Sequence, residues 1–234
     1  MTDVPEPAAD APVGGVSTPA PSGRKRGRPA AHERETRRSE ILRAATTTFL
    51  THGYSATTLD QIAAAGQVTK RTVYTYVGDK AAVFTAVVDQ LHHDVVAQAG
   101  AGDASDLLGL STRIVRTLLS DEGVGLHRLV IAEAPSFPDL AATFYATGPR
   151  QYVLALADAI SSQGADDRGD AGEVSGRLDE AEQLFGLLLG EAHRRRLLGL
   201  DPAPDAMRAR AHARAALASL GLVRETAGAR GFQD

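Results

Sequence analysis

Side chains suited to contact with nucleic acid cluster in a short stretch that ends at Lys80. The cluster combines two cations with hydroxyl and aromatic groups, namely Lys70, Arg71, Thr72, Tyr74, Thr75 and Tyr76. Arginine and lysine donate hydrogen bonds to guanine edges in the major groove, and threonine contacts a thymine methyl group or a phosphate. We therefore expect Lys70 and Arg71 to read bases, while the tyrosines and Lys80 hold the DNA backbone. The alternative is an ordinary helical hairpin whose basic face is merely solvated.

Two short helices joined by a tight turn would position these side chains. Thr58 and Gln61 have the spacing of a capping box, so a helix is expected to begin after Thr58. Gly66 marks the turn because glycine tolerates positive φ, and Thr69 is expected to cap the second helix. The pattern predicts a DNA-reading helix-turn-helix. Further predicted contact residues are Arg37, Thr57, Thr58 and Thr69.

Charge is distributed unevenly along the 234-residue chain. The total is −4, but the stretch from Arg24 to Lys80 holds 11 lysines and arginines against 5 acids, which is +6 and leaves −10 elsewhere. A basic module joined to an acidic body suits a protein that contacts DNA with one end. Cysteine is absent, which excludes disulfides and thiolate chemistry. With no apolar run long enough to span a membrane and no secretion signal, we expect a cytoplasmic protein without a membrane partner.

A basic arm precedes the helical region. Residues 1–23 are poor in large apolar side chains, and we expect a disordered tail there. Residues 24–30 form the arm, in which Arg-Gly-Arg-Pro resembles the core of an AT-hook. Such an arm is slim enough to enter the narrow minor groove of A·T-rich DNA. The alternative is non-specific attraction to phosphates, and both interpretations use the same cations, Arg24, Lys25, Arg26 and Arg28.

Apolar periodicity predicts helices through the rest of the chain and therefore an all-α fold. The first helix is expected from about Ala31 to Thr51, and the fourth from about Asp79 to Ala99. Further helices are expected near residues 104–120 and 124–133. A turn at 135–138 should open the next helix, because it contains two prolines.

Glycine, proline and leucine patterns organise the last third of the chain. Pro149 after Gly148 should interrupt a helix, because proline donates no hydrogen bond. An acidic loop is expected from Gln163 to Gly176. Beyond it, the helix around Leu184 is apolar on nearly every side, which predicts that it is covered from two sides. We expect this helix and the last one to form a dimer interface through Leu184, Leu188, Leu217 and Leu220; the alternative is a hairpin buried within one chain.

A family resemblance rests on the run from Ile41 to Lys80. The matching residues are Ile41-Leu42, Ala44-Ala45, Phe49, Gly53-Tyr54, Thr57-Thr58, Ile62-Ala63, Val68, Thr72-Val73-Tyr74, Tyr76 and Asp79-Lys80. By motif and spacing the run resembles the N-terminal DNA-binding domain of the TetR/AcrR family of bacterial transcription regulators. Two positions depart from the family pattern. Glycine arrives one residue early, so Gln67 is expected to adopt a left-handed conformation, and Val77 replaces a common phenylalanine.

The resemblance implies two domains. A three-helix helix-turn-helix domain is expected over residues 31–78, and a helical ligand-binding and dimerisation domain over residues 79–228. The segment from Arg128 to Pro149 is similar to the AefR-like subgroup of the family. A small-molecule effector would then occupy a cavity in the second domain. We expect it to be lined by Leu91, His92, Leu126, Phe137, Phe144, Tyr145, Tyr152 and Phe185.

Together these patterns predict a dimeric, ligand-responsive transcription regulator that binds a near-palindromic operator in double-stranded DNA, most simply a repressor. The alternatives are an activator or an architectural protein that binds A·T-rich DNA through the arm. We expect no cofactor. Adjacent His92 and His93 point to different sides of a helix, so no metal site is expected either. Without a phosphate loop, nucleophile elbow or catalytic triad order, an enzyme is not expected.

Overall fold

The computed structural model describes residues 31–97, 107–163 and 171–222, and its described part contains helices and no strand. The predicted all-α fold is confirmed. The predicted tail and the arm, with Arg24, Lys25, Arg26 and Arg28, lie outside the described residues. No helix in the described ranges is both long and apolar enough to cross a membrane.

Ten helices follow one another in the described residues. Their bounds are α1 Ala31–Ala56, α2 Leu59–Ala65, α3 Lys70–Tyr76, α4 Lys80–Ala97, α5 Leu107–Leu118, α6 Asp121–Glu133, α7 Pro138–Thr147, α8 Pro149–Gln163, α9 Ala171–Leu197 and α10 Ala206–Ser219.

Three of the predicted boundaries can be compared with these bounds. The predicted break at Gly148 and Pro149 separates α7 from α8 and is confirmed. The first helix breaks at Gly53, whose φ is +81°, close to its predicted end near Thr51, and a further short helical segment continues to Ala56. The predicted acidic loop is too long, since α9 already begins at Ala171. Acidic residues suit the first turn of a helix as well as a loop, so composition alone did not separate the two.

One core cluster joins the helix-turn-helix to the helices behind it. Four apolar residues of α1 are buried in it together with Ile62 of α2, Val73 of α3 and Phe84 of α4; those of α1 are Ile41, Leu42, Ala45 and Phe49. The same cluster continues into α6 and α7 through Leu126, Leu129, Val130, Leu140 and Phe144. α6 and α7 therefore pack directly against the helices of the helix-turn-helix.

A second core cluster fills the space between α5, α8, α9 and α10. Tyr152 and Leu156 of α8 pack there against Leu184 and Leu188 of α9. Burial of such large side chains stabilises the bundle by roughly 1.5 to 3 kcal/mol each.

Arg196 ties the end of α9 to the turn between α5 and α6. Its buried guanidinium donates to Leu119 O at 2.9 Å, to Asp201 O at 2.7 Å and to Asp121 Oδ1 at 2.6 Å. Arg128 of α6 adds hydrogen bonds to the carbonyls of Arg196 and Leu197, both at 2.9 Å. Arg128 thus satisfies free carbonyls at the end of α9, and both cations hold α6 against that end.

Candidate DNA-binding surface and effector site

Both helices of the helix-turn-helix begin at the predicted caps. Thr58 Oγ1 accepts from Gln61 N at 3.3 Å, and Gln61 Oε1 accepts from Thr58 N at 2.8 Å, which completes the capping box. Thr69 Oγ1 accepts from Thr72 N at 3.1 Å at the start of α3. The caps satisfy amide groups that a helix start leaves free, and they fix where each helix begins.

The turn between α2 and α3 has the conformation that its early glycine predicted. Gln67 is left-handed, with φ of +52°, whereas Gly66 is not. The left-handed glutamine costs roughly 1 kcal/mol. Val68 N donates to Ala63 O at 2.9 Å, which closes the turn and directs α3 across α2.

The exposed face of α3 carries the groove-contact chemistry. Val73 is fully buried and anchors the helix, while Tyr74 is 64% exposed and Arg71 and Thr75 are exposed beside it. Lys70 is also exposed and forms an ion pair with Asp60 at 2.9 Å. Since exposed ion pairs contribute little, the ammonium group of Lys70 can exchange this partner for a DNA phosphate or base.

Two residues predicted to contact DNA are engaged inside the subunit instead. Thr57 is 1% exposed and its hydroxyl donates to Gly53 O at 2.6 Å, so the prediction of a DNA contact from Thr57 is wrong. Lys80 Nζ donates to Tyr54 O at 3.0 Å and Ser55 O at 3.2 Å, and lies 4.6 Å from the centroid of the Tyr54 ring. Lys80 thus holds the end of α1, and its phosphate contact stays a prediction.

The other predicted contacts in the described residues differ in exposure. Exposed side chains belong to Arg37, Thr58, Thr69, Lys70, Arg71, Tyr74 and Thr75, and half-buried ones to Thr72, Tyr76 and Lys80. Tyr76 lies 5.8 Å beneath the guanidinium of Arg34, a cation at the start of α1 that the sequence reading did not single out. Arg37 pairs with Glu40 at 2.9 Å.

A chain of aromatic and histidine rings lies where the two core clusters meet. His92 Nδ1 is 2.5 Å from the Tyr152 hydroxyl, and the Tyr152 ring stacks on Phe185 with centroids 6.2 Å apart. On the other side, Phe144 is within 6.3 Å of the His92 ring and 5.6 Å of the His127 ring. Four predicted pocket residues, His92, Phe144, Tyr152 and Phe185, are therefore brought together.

His127 and His193 extend this chain of rings, and neither was among the predicted site residues. His127 Nδ1 and His193 Nε2 are 3.2 Å apart, and the two rings stack 5.0 Å apart. A signal was present for His127, which lies in an otherwise apolar stretch of α6 from Val124 to Val130 that only Arg128 also interrupts. The pairing of two histidines 66 positions apart has no local signature.

The remaining predicted pocket residues lie elsewhere. Tyr145 is 58% exposed, so its assignment to a buried pocket is wrong. Phe137 packs edge-on against Tyr54, with centroids 5.2 Å apart, and so belongs to the contact with the DNA-binding helices. Leu126 is buried in that same cluster, and Leu91 is half-buried against it. Spacing along a helix placed Phe144 and Tyr145 together, but only one of two neighbours can face the core.

Burial sets the protonation of the rings. It lowers the pKa of His92 to about 4, and it lowers the pKa of His193 to about 4 with a further contribution from His127. Burial also lowers the pKa of His127 and raises that of the Tyr152 phenol. All four groups are therefore neutral at pH 7. Because a phenol is a stronger hydrogen-bond donor than a neutral imidazole, we assign Tyr152 as the donor to His92 Nδ1, which places the remaining imidazole proton on Nε2.

α6 connects this ring chain to the DNA-binding helices. His127 lies in the middle of α6, and Glu133 at its end accepts from Ser55 N at 2.9 Å. Just before His127, Leu50 of α1 packs closely over Gly125, where an added Cβ would be 2.8 Å from Leu50 Cδ2. One rigid helix thus contacts the ring chain with one part and α1 with two others.

The predicted dimer residues lie on the wrong face of their helices. Leu184 and Leu188 are fully buried in the subunit's own core, and Leu217 is buried beside them, so none is available to a partner. Leu220 is half-buried against the same cluster. Large apolar side chains that are exposed near this helix pair are Leu187, Leu198, Leu200 and Met207.

Two family models match the chain. One, described as bacterial regulatory proteins of the tetR family, covers residues 41–87. The other, described as the C-terminal domain of AefR-like transcriptional repressors, covers residues 105–220. The two matches agree with the resemblance noted in the sequence. No curated protein matches the chain by sequence.

Solved structures are similar over most of the chain. A protein described as a TetR-family transcriptional regulator from Mesorhizobium loti shares 25% identity and has a TM-score of 0.62, covering 80% of this chain and 95% of its own. The flavonoid-responsive regulator FrrA shares 26% identity with a TM-score of 0.57, over 79% and 95% of the two chains. A TetR-family regulator from a Rhodococcus species, at 20% identity, covers 79% of this chain and 98% of its own with a TM-score of 0.58, and supports the fold alone.

Proposed function

Because the chain belongs to the TetR family and is a DNA-binding transcriptional regulator, we propose that it is a homodimeric repressor released from DNA by a small-molecule effector. The observation that carries the proposal is the exposed face of α3, with Arg71, Tyr74 and Thr75 held outward by the Thr69 cap and buried Val73. In a symmetric dimer, two such helices would enter successive major grooves roughly 34 to 36 Å apart on a near-palindromic operator.

A second copy of this chain is the partner that the exposed face of α9 and α10 fits. Gly186 and Leu187 form an uncovered apolar patch on α9, where an added Cβ at Gly186 meets nothing within 4 Å. Exposed acids flank the patch on α9, including Glu182 and Glu191, while α10 exposes Arg210 and Arg214. A two-fold axis that sets α9 against the partner's α10 would pair these opposite charges around an apolar centre.

The ring chain from Phe185 to His193 is the proposed effector region. Its neutral histidines and aromatic rings suit an aromatic ligand with few polar groups. The similar structure of FrrA, a flavonoid-responsive regulator by its own description, makes aromatic effectors the first class to test. An effector that moves His127 would move α6, and with it Glu133 and the α1 contact, so that the two α3 helices no longer match the operator spacing.

Three further expectations concern location, catalysis and the mode of regulation. We expect the protein to act in the cytoplasm, without catalysis and without a cofactor. A transcription assay with the operator placed over or upstream of a promoter separates an activator from a repressor. An architectural protein would bind through the arm alone and would show no preference for an inverted repeat.

Replacement of Arg71 by alanine tests the reading face. On a DNA fragment enriched by the wild-type protein from random sequence, Arg71→Ala should weaken binding by roughly 1 to 3 kcal/mol and relax base preference. Arg150→Ala, which removes an exposed arginine from α8, is the control and should bind normally. Fluorescence anisotropy on the enriched fragment and on scrambled DNA gives both affinities. Equal behaviour of the two variants would place the reading surface elsewhere.

A further inference from the structure

A recess of about 320 Å³ opens beside His92, and the residues that line it have polar side chains. α4 contributes Asp89, His92 and His93, and the junction of α7 and α8 contributes Thr147 and Gln151. Asp89, His93 and Gln151 are exposed, whereas His92 is 2% exposed. The recess is thus large enough for one small ring at the lower end of ligand-site volumes, and solvent can reach it.

His92 presents one unsatisfied atom. Its Nδ1 is occupied by Tyr152, whereas its Nε2 is buried and has no hydrogen-bond partner among the described residues. A buried donor without a partner costs about 1 to 3 kcal/mol. The ring reaches this position only because residue 148 is glycine, since an added Cβ there would lie 2.5 Å from Nε2. The chain therefore keeps a costly donor in place at a helix junction.

The acceptors around the recess complement this donor. Gln151 Nε2 donates to Ala146 O at 3.0 Å, which leaves the amide oxygen of Gln151 as an acceptor. The Asp89 carboxylate supplies a second acceptor, and burial raises its pKa against the opposing influence of Arg38 and His93. A hydroxyl group in the recess would find acceptors in these two oxygens, and a small displacement at Gly148 would open the buried Nε2–H to it.

We infer that the recess binds the hydroxyl group of a small phenol or alcohol, whose oxygen accepts from His92 Nε2 while its proton is donated to Asp89 or Gln151. A carboxylate ligand has no proton to donate and would be repelled by Asp89. An ammonium group cannot accept from Nε2, and a hydrocarbon leaves Nε2 unpaired. The inference deepens the proposed effector response, on which its biological role rests, by naming the head group that the effector carries.

Four probes of similar size separate these cases: p-cresol, benzyl alcohol, toluene and p-toluate. Full-length protein labelled with ¹⁵N-histidine reports the Nε2 resonance of His92 directly, and His92→Gln assigns it. We expect p-cresol or benzyl alcohol, or both, to shift that resonance in a saturable way, and toluene and p-toluate to leave it in place. The relative affinities of p-cresol and benzyl alcohol then distinguish a phenol from an alcohol head group.

Two amide variants test the donor without removing polarity. Glutamine places its Nε2 near the position of the imidazole Nε2, so His92→Gln should retain p-cresol binding within about threefold. Asparagine reaches only as far as Nδ1, so His92→Asn keeps a partner for Tyr152 and should lose about tenfold. Calorimetric titration measures both. Wild-type affinity in His92→Asn would overturn the inference.

A third variant covers the case that His92→Asn fails to fold. Asp89 is exposed, so Asp89→Ala should fold normally. It should weaken p-cresol about threefold or more and strengthen p-toluate, because the repelling charge is gone. Unchanged selectivity between the two probes would contradict the assigned chemistry.

Operator binding distinguishes this inference from the proposed function. If p-cresol binds at His92 but leaves operator affinity unchanged, the binding site is supported and its role as the effector site is refuted. If another compound releases the operator while none of the four probes moves the His92 resonance, the proposed function is supported and this inference is overturned.

Discussion

At the scale of single residues, the buried histidines link stability to pH. The pKa of His92 falls from 6.5 to about 4 on burial, and that of His193 falls to about 4 as well. The unfolded chain therefore binds more protons than the folded one between these values. The stability that neutral imidazoles provide is complete above pH 6.5 and is lost as the pH falls towards 4.

The first prediction follows from this sign. Between pH 7 and pH 5 the free energy of unfolding should fall on the order of 2 kcal/mol for each fully buried imidazole. The raised pKa values of Asp89 and Glu122 act in the opposite sense, so the difference between variants is the cleaner quantity. Urea unfolding should show a smaller loss in His92→Gln than in the wild type. In His52→Gln, where an exposed histidine of α1 is replaced, the loss should be unchanged. Identical pH dependence in all three proteins would contradict the burial of His92.

The roles of some residues could be predicted from their neighbours in sequence, and the roles of others could not. The Thr58 and Thr69 caps and the left-handed Gln67 depend on neighbours within a few positions, and all three are confirmed. The roles of Thr57 and Lys80 depend on where the carbonyl groups at the end of α1 lie after folding. A threonine and a lysine beside a DNA-reading helix look like DNA contacts until that backbone is placed.

At the scale of elements, α6 is the helix that carries the proposed signal. His127 contacts the ring chain, while Gly125 and Glu133 contact α1. Arg128 fixes the same helix to the end of α9 through two carbonyls. α6 therefore contacts the ring chain, α1 and the end of α9, so a small rotation of α6 would change all three contacts.

The second prediction concerns the contact between α6 and α1. Glu133→Ala removes the acceptor of the Ser55 amide, so hydrogen exchange at Ser55 should speed up by about tenfold. Glu133→Gln keeps an oxygen acceptor at the same position and should exchange close to the wild-type rate. NMR exchange at single-residue resolution measures both. An unchanged Ser55 rate in Glu133→Ala would show that the contact does not restrain this part of α1.

Element boundaries were predictable where proline, glycine or a cap fixes them. The division between α7 and α8 at Pro149 is an example, because proline breaks the hydrogen-bond ladder in any context. The start of α9 at Ala171 was not predicted, because an Asp- and Gly-rich segment gives no local signal that a helix begins there. The prediction also placed inward-facing leucines of α9 at the dimer interface. Apolar residues surround this helix, so periodicity cannot show which of them face the core.

At the scale of the whole molecule, the proposed dimer depends on the uncovered face of α9. Leu187 is 41% exposed within one subunit, whereas the adjacent Leu188 is fully buried. A charge at residue 187 would meet water in the monomer and an apolar partner in the dimer. A charge at residue 188 would be buried in either state, which costs several kcal/mol.

The third prediction uses this pair of neighbours. Leu187→Glu should give folded monomers, with helical circular dichroism retained and half the wild-type mass in sedimentation velocity. Leu188→Glu should lose the folded state altogether, because its carboxylate would enter the second core cluster. A Leu187→Glu protein that sediments as a dimer would move the interface away from α9.

The spacing of the two reading helices is the most direct test of the central claim, that a symmetric dimer places its α3 helices in adjoining major grooves. An insertion of about five base pairs at the centre of the selected operator rotates one half-site by half a helical turn. Measured by fluorescence anisotropy at fixed salt, affinity should then fall towards the level of random DNA, on the order of a thousandfold. An operator that binds equally well with and without the insertion would contradict the claim.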